Sequence, residues 1–229
     1  MDPKITTATV FFIISGGILP ALFWLWFWLK EDRHPEPRGV IILTFFAGMA
    51  AVAIALPIEY LFSLFSSGTI MLLLWAATEE ILKYLAARET ALTKPSFDEP
   101  IDAIVYMITA ALGFAALENI FFIFHSFSLD GPLLSFITGN LRFIGATLLH
   151  TATSAIIGAS IAFSFFHKEK RILNVVGGII LAVILHFFFN YFIIKSNGAD
   201  ILKIFIPLWL GIIIIIFICE KIKRLKNQL

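Results

Sequence analysis

The sequence predicts an all-α fold, a polytopic membrane helical bundle of about seven transmembrane helices, and two observations lead to this prediction. Of the 229 residues, 59% are hydrophobic and 14% are charged, whereas soluble domains average about 45–50% and about 25%. Apolar stretches of about 20 residues, the length of a membrane-spanning helix, recur along the chain. Nothing resembles a separate soluble region, so residues 1–229 are interpreted as a single transmembrane domain.

Charged residues, prolines and glycines divide the chain into seven apolar segments, each long enough to span the bilayer as a helix. The first is too long for the apolar part of a cleavable signal peptide, so we expect it to be retained. Asp102 begins the fourth and is expected to complement the N-terminus of that helix. A short interfacial or re-entrant helix is expected at 131–142. The predicted spans are 7–29, 39–64, 69–87, 102–125, 143–166, 173–195 and 201–220.

The basic residues predict how the bundle is oriented. The loops after spans 1, 3 and 5 and the C-terminal tail together hold twelve Lys and Arg residues, and the N-terminus and remaining loops hold four. Because cytoplasmic loops are enriched in Lys and Arg, the N-terminus is predicted outside and the C-terminus in the cytoplasm. The four basic residues on the predicted outer side are Lys4, Arg142, Lys195 and Lys203.

Away from the ends of the predicted spans lie six ionisable side chains, and ionisable residues at such depth are rare and usually functional. At a rise of about 1.5 Å per residue, the carboxylates and histidines lie about 10 to 15 Å from the outer ends of their helices. Four helices thus place polar groups in one layer of the outer half of the bilayer, which we interpret as one site. The six residues are Glu79, Glu80 and Lys83 in span 3, Glu118 in span 4, His150 in span 5 and His186 in span 6.

Lys83 lies one helical turn from both Glu79 and Glu80, so it can form an ion pair with either. One lysine leaves one carboxylate over, and a desolvated carboxylate suits general acid or base catalysis. We expect Glu79 to pair with Lys83 and Glu80 to take the catalytic role.

Two chemistries fit the histidines. Together with Glu118, His150 and His186 form a ligand set typical of a catalytic zinc ion, which lowers the pKa of water towards about 7. Without a metal, the same residues could activate water by Glu–His base catalysis, with His186 and Asn190 stabilising the oxyanion. The residues alone leave both open.

Two other functional classes use such clusters. A proton-coupled transporter would use the carboxylates and histidines as a relay, although the sequence has no internal repeat of the kind many transporters show. A scaffold would use them only to hold helices together. The residues alone therefore allow three functions: an enzyme, a transporter and a scaffold.

Several motifs occur together along the chain. EEILK (79–83) has the pattern EExxK, and FAALENIFF (114–122) matches a GFAALEN-type segment. His150 lies in LLHTATSAIIG and His186 in LHFFFNYF, while WLKEDRHPEPRGVIILTFFAG (28–48) and DEPIDAIVY (98–106) flank spans 1 and 4. In this order, and over nearly the full chain, they resemble the PrsW family of intramembrane proteases.

The resemblance implies a membrane-embedded endopeptidase that cuts membrane-anchored regulatory proteins, such as anti-sigma factors, at an extracytoplasmic site. The family is distantly similar to the CAAX prenyl endopeptidases and bacteriocin-processing enzymes, whose patterns are EExxxR, FxxxH and HxxxN. Here His186 and Asn190 keep the third pattern, whereas the first reads EExxK and the second ends at Glu118. Members of the family are usually described as metalloproteases.

The resemblance also implies a role for each site residue. Glu79 and Glu80 would act as acid and base with Lys83 neutralising them, and Glu118, His150 and His186 would bind Zn²⁺ or activate water. Asn190 and Asn119 would orient the substrate or the oxyanion. The expected partners are a single-pass membrane protein substrate and the lipid bilayer, with no nucleic acid, and the expected location is the cytoplasmic membrane of a prokaryotic cell.

Overall fold

The computed structural model describes residues 6–30, 32–196 and 201–225, and the regular structure in these ranges is entirely helical. Helix α5 continues into α6 through a π-helical turn, so eight α-helices form seven continuous helical units. Lys4 and Lys226, which enter the charge count, lie outside the described residues. The helices are α1 (Thr7–Leu29), α2 (Arg38–Phe65), α3 (Gly68–Ala87), α4 (Asp102–Asp130), α5 (Pro132–Leu141), α6 (Thr147–Phe163), α7 (Arg171–Lys195) and α8 (Ile201–Ile222).

Six of these units are long and apolar enough to cross a membrane, and α3 is the exception. Helix α3 has 20 residues, about the required length, but carries three charged side chains, Glu79, Glu80 and Lys83. The prediction of an all-helical, multi-spanning bundle is therefore confirmed, with six candidate spans and one charged helix. The orientation of the bundle stays a prediction from the basic residues.

The fifth predicted span begins earlier than expected. Instead of a separate short helix at 131–142, the chain forms one continuous helix from Pro132 to Phe163, with a π-helical turn at Arg142–Ala146. Arg142 was expected in an outer loop, but its guanidinium contacts residues of α4 inside the bundle. Because its charge is compensated there, this arginine does not end the helix.

Helix α4 is the central helix of the bundle, with α1, α2 and α6 packed around it. Its residues 102–116 are all buried. Two glycines allow α2 and α4 to approach closely: a Cβ at Gly113 would lie 1.9 Å from the Phe45 carbonyl oxygen, and one at Gly48 would lie 2.0 Å from that of Ala110. This contact lies just before Glu118 and sets the position of the α4 segment that carries it.

The outward faces of the helices carry large apolar side chains. Phe65 is 86% exposed, Ile172 79%, Phe11 74% and Phe217 70%. Such exposure is unfavourable in water and expected of helices that face lipid tails.

Asp102 is the first residue of α4, as predicted. Its carboxylate, however, accepts hydrogen bonds from backbone N–H groups of the preceding loop.

Candidate metal centre

The polar residues predicted to share one site do lie together in the bundle. Helix α3 directs Glu79, Glu80 and Lys83 inward, and each is buried. His150 of α6 and His186 of α7 are 2% and 1% exposed, and their ring centroids lie 5.2 Å apart. Glu118 of α4 contacts His150, so side chains from four helices form one polar cluster, as their common depth along the spans predicted.

Glu80 is the most heavily bonded carboxylate of the cluster. Its Oε1 atom accepts hydrogen bonds from Lys83 Nζ at 2.7 Å, His186 Nδ1 at 2.7 Å and Thr153 Oγ1 at 3.0 Å. Glu80 and Lys83 are both fully buried. The expected pairing of Lys83 with Glu79 is therefore wrong. Glu80 is the partner because donors from α6 and α7 converge on the same carboxylate as the lysine.

Glu79 lies between the two histidines instead. Its Oε2 atom is 3.8 Å from His150 Nδ1 and 3.8 Å from His186 Nε2, and one ligand atom from each residue lies within 4.8 Å of the other two. This Oε2 atom is buried and, among the described residues, has no hydrogen-bond partner. A buried, unpaired carboxylate oxygen is costly unless a cation or a proton compensates it.

This group fits a catalytic zinc ion. One carboxylate oxygen and two imidazole nitrogens form a common protein ligand set for zinc, which leaves a fourth position for water. Tetrahedral ligands at about 2.0–2.2 Å from zinc are about 3.4 Å from one another. The 3.8 Å separations are a few tenths of an ångström longer, so small side-chain rotations would complete the set.

The outer nitrogens of both histidines are hydrogen-bonded in the way metal-binding histidines require. His186 Nδ1–H donates to Glu80, and His150 Nε2–H donates to Glu118 Oε2 at 2.9 Å. His186 Nε2 and His150 Nδ1 are then the unprotonated nitrogens, and each lies 3.8 Å from Glu79 Oε2. Outer hydrogen bonds of this kind orient metal-binding histidines. Lys83 Nζ also lies 3.0 Å from His150 Nδ1, so an ion would displace that hydrogen bond.

Glu118 lies beside the trio rather than in it, which differs from the predicted ligand set. Its Oε2 atom accepts from Arg142 as well as from His150, and its side chain is 18% exposed. The Asn119 side chain also forms hydrogen bonds within the bundle: it donates to Thr147 Oγ1 and accepts from Arg142 Nε. Glu79 is thus the carboxylate that the structure brings to both imidazoles, and Asn119 holds Arg142.

Asn190 is half-buried on α7 and, among the described residues, its side chain forms no hydrogen bond. Its predicted oxyanion role is neither supported nor opposed by contacts and stays a prediction. Two cluster residues were missed from the sequence. One is Thr153, which lies one turn beyond His150 on α6. The other is Arg142, whose position as a lone cation between two apolar stretches could have indicated that it pairs with a buried carboxylate.

Comparisons with known proteins identify sequences related to this chain. The family described as PrsW family intramembrane metalloprotease matches residues 36–218, which include every residue of the cluster. Protease PrsW of Bacillus subtilis is 31% identical over 154 residues, covering 58% of this chain and 71% of the relative. Protease PrsW of Geobacillus kaustophilus is 26% identical over 197 residues and 82% of each chain. No solved structure matches.

The family match spans most of the chain, the relatives are proteases, and six helices are suited to cross a membrane. The transporter and scaffold alternatives have no comparable support. The chain belongs to the PrsW family of intramembrane metalloproteases.

Proposed function

We propose that this protease hydrolyses peptide bonds of membrane-anchored regulatory proteins with a zinc ion held by Glu79, His150 and His186. The observation that carries the proposal is the position of Glu79 Oε2, buried, without a hydrogen-bond partner, and 3.8 Å from a nitrogen of each histidine. A bound zinc ion would supply Lewis acidity, polarising the scissile carbonyl group and lowering the pKa of water towards about 7.

The other polar residues prepare the ligands. Glu80 fixes the ring orientation of His186 through the 2.7 Å hydrogen bond to Nδ1 and is itself held in place by Lys83 and Thr153, which both donate to it. Ligands held by such bonds are positioned before substrate arrives, which lowers the cost of reaching the reactive geometry.

Glu118 does the same for His150, and Arg142 keeps Glu118 in place. The side chains of Glu118 and Arg142 are 18% and 14% exposed, whereas Glu80 and Lys83 are fully buried. The site is therefore most open on the side of α4 and the π-helical turn, and we propose that water and the substrate backbone enter there. A carboxylate on the entry side is also placed to take a proton from water.

The substrate class follows from where the site lies. The cluster is formed by the middle parts of helices whose outer faces are apolar, so a substrate must itself reach into the bilayer. We propose a single-pass membrane protein of the anti-sigma-factor type, cut near the extracytoplasmic side. The side of the membrane rests on the predicted orientation, and the substrate type on the family resemblance.

Cleavage in proteoliposomes tests the proposal. The purified protease is reconstituted with a doubly tagged single-pass reporter protein, and the fragments are followed by immunoblotting. Wild type should cleave, a chelator should abolish cleavage, and zinc should restore it. Glu79→Gln should lose cleavage, whereas Glu89→Gln, which alters an exposed carboxylate paired with Arg88, should not. Undiminished cleavage by Glu79→Gln would overturn the assignment, and cleavage that resists every chelator would favour the metal-free glutamate mechanism.

A further inference from the structure

A second group of carboxylates lies away from the catalytic cluster, where the segment between α1 and α2 meets the start of α4. Asp32 and Glu36 belong to the segment between α1 and α2, and Asp102 begins α4. One oxygen from each lies within 4.8 Å of the other two. Asp32 is 6% exposed and Asp102 is 1% exposed, so two of the three are buried.

The protein compensates these charges only in part. Asp102 Oδ2 accepts from the backbone N–H groups of Asp98 at 3.0 Å and Glu99 at 2.7 Å, and Glu36 accepts from the Tyr106 hydroxyl. Asp32 Oδ1 accepts from the N–H of His34 at 2.8 Å. No lysine or arginine in the described part of the chain forms an ion pair with any of the three carboxylates.

One oxygen of the group is left unsatisfied. Asp32 Oδ2 is buried and, within the described ranges, has no hydrogen-bond partner. Burial raises the pKa of the Asp32 and Glu36 carboxyl groups, although backbone N–H groups at Asp32 and the Tyr106 hydroxyl at Glu36 oppose the rise. An unpaired oxygen beside two further carboxylates needs a positive charge, either a cation or a shared proton.

The group is remote from the metalloprotease chemistry. Asp102 and Glu118 are sixteen residues apart on the same helix, a separation of about 24 Å. An ion here could not reach the reacting atoms. It would instead connect the α1–α2 segment to the start of α4, the central helix that carries Glu118.

We propose that Asp32, Glu36 and Asp102 bind a hard divalent cation, Mg²⁺ or Ca²⁺. The set consists of oxygen atoms alone, which suits these ions and distinguishes it from the histidine-containing catalytic centre. A cavity of about 360 Å³ opens beside it, lined by His34, Glu36 and Glu99 among others, and provides an entry path and space for the water molecules that both ions retain. The site is structural and independent of the proposed catalytic mechanism.

The test is cation titration of the full-length, chelator-treated protein in detergent at neutral pH. Mg²⁺ and Ca²⁺ are added separately and thermal unfolding is followed, and Tb³⁺ luminescence excited through Tyr106 reports binding directly. Wild type should show a saturable rise in Tm and saturable luminescence. Asp32→Asn and Glu36→Gln should weaken binding about tenfold or more because each removes a charged ligand.

Two controls separate this site from its surroundings. Glu169→Gln removes an exposed carboxylate that lies beside His167, outside both the cluster and the cavity lining, and should leave the response unchanged. The double variant His150→Ala/His186→Ala removes the catalytic ligands and should also keep it. No ion response in wild type would overturn the proposal, as would an undiminished response in Asp32→Asn. A higher Tm of Asp32→Asn without any ion, combined with an unresponsive wild type, would assign the cluster to a shared proton instead.

Discussion

Nδ1 of His186 lies 2.7 Å from Oε1 of Glu80, and this one hydrogen bond joins α7 to α3 at the base of the candidate metal centre. The carboxylate that makes it is fully buried and paired with Lys83 at 2.7 Å. In the proposed metal centre Glu80 would therefore act through His186, whereas Glu79 would be a direct ligand. If these two adjacent glutamates have different roles, their variants should behave differently.

Glu80→Gln should weaken metal binding without abolishing it. A glutamine oxygen can still accept from His186 Nδ1–H, but the neutral amide makes the imidazole a poorer ligand, for which about 10–100-fold lower affinity is typical. Competition with a zinc-sensitive dye measures the affinity. Glu79→Gln should lose far more affinity, because it removes a ligand. Equal losses in both variants would contradict the distinction.

Zinc content tests the trio as a unit. Purified wild type should hold about one equivalent of zinc, the expectation for a three-ligand catalytic site. The His150→Ala/His186→Ala variant should hold none while keeping its helical circular dichroism spectrum. Elemental analysis after purification without chelators gives the stoichiometry. A metal-free wild type that still cleaves its reporter would reject the zinc centre.

Glu118→Gln separates orientation of His150 from proton transfer. If Glu118 only orients His150, zinc affinity and activity should fall together by about 10–100-fold. If Glu118 also takes a proton from water, activity should fall by about 10²–10⁴-fold while zinc stays bound. We expect the second pattern, because Glu118 is the most exposed carboxylate of the cluster. Zinc content and the initial rate of reporter cleavage, measured on one preparation, distinguish the two.

Lys83→Met should destabilise the fold, because it leaves Glu80 as a buried carboxylate without its cation. Breaking a buried pair from one side typically lowers the free energy of unfolding by about 3–5 kcal/mol. Lys83→Met/Glu80→Gln removes the stranded charge and should recover much of the Tm without recovering zinc affinity. If the double variant is as unstable as the single one, the ion pair is not the cause.

Most members of the cluster were predictable from the sequence, whereas Thr153, Arg142 and the internal pairing were not. Charged residues inside apolar spans must face one another, so equal depth was enough to group Glu79, Glu118 and both histidines. Lys83 lies one turn from either glutamate, and only Thr153 and His186, from distant helices, select Glu80. Local spacing cannot contain that information.

The same reason explains the error at Arg142. A single arginine between apolar stretches has the sequence signature of a loop, and charge counting placed it outside. In the folded bundle Glu118 and Asn119 of α4 bind its guanidinium, and the chain continues as a helix through a π-helical turn. The break was predicted from local charge, but a contact 24 residues away in sequence decides the outcome.

The contact between α2 and α4 gives a prediction about packing alone. A Cβ at Gly113 would meet the Phe45 carbonyl oxygen at 1.9 Å, and backbone cannot move aside as a flexible side chain could. Gly113→Ala should therefore push the helices apart and destabilise the protein by about 1–3 kcal/mol, the usual cost of overpacking. Because Glu118 follows on the same helix, zinc affinity should also fall.

Gly177→Ala is the matched control, since a Cβ at Gly177 of α7 would have no atom within 4 Å. There alanine should be neutral or slightly stabilising, because it favours helix over glycine by about 1 kcal/mol. Thermal unfolding of both variants in one detergent gives the comparison. A Gly113→Ala protein with wild-type Tm and zinc affinity would show that α2 and α4 are not packed as closely as described.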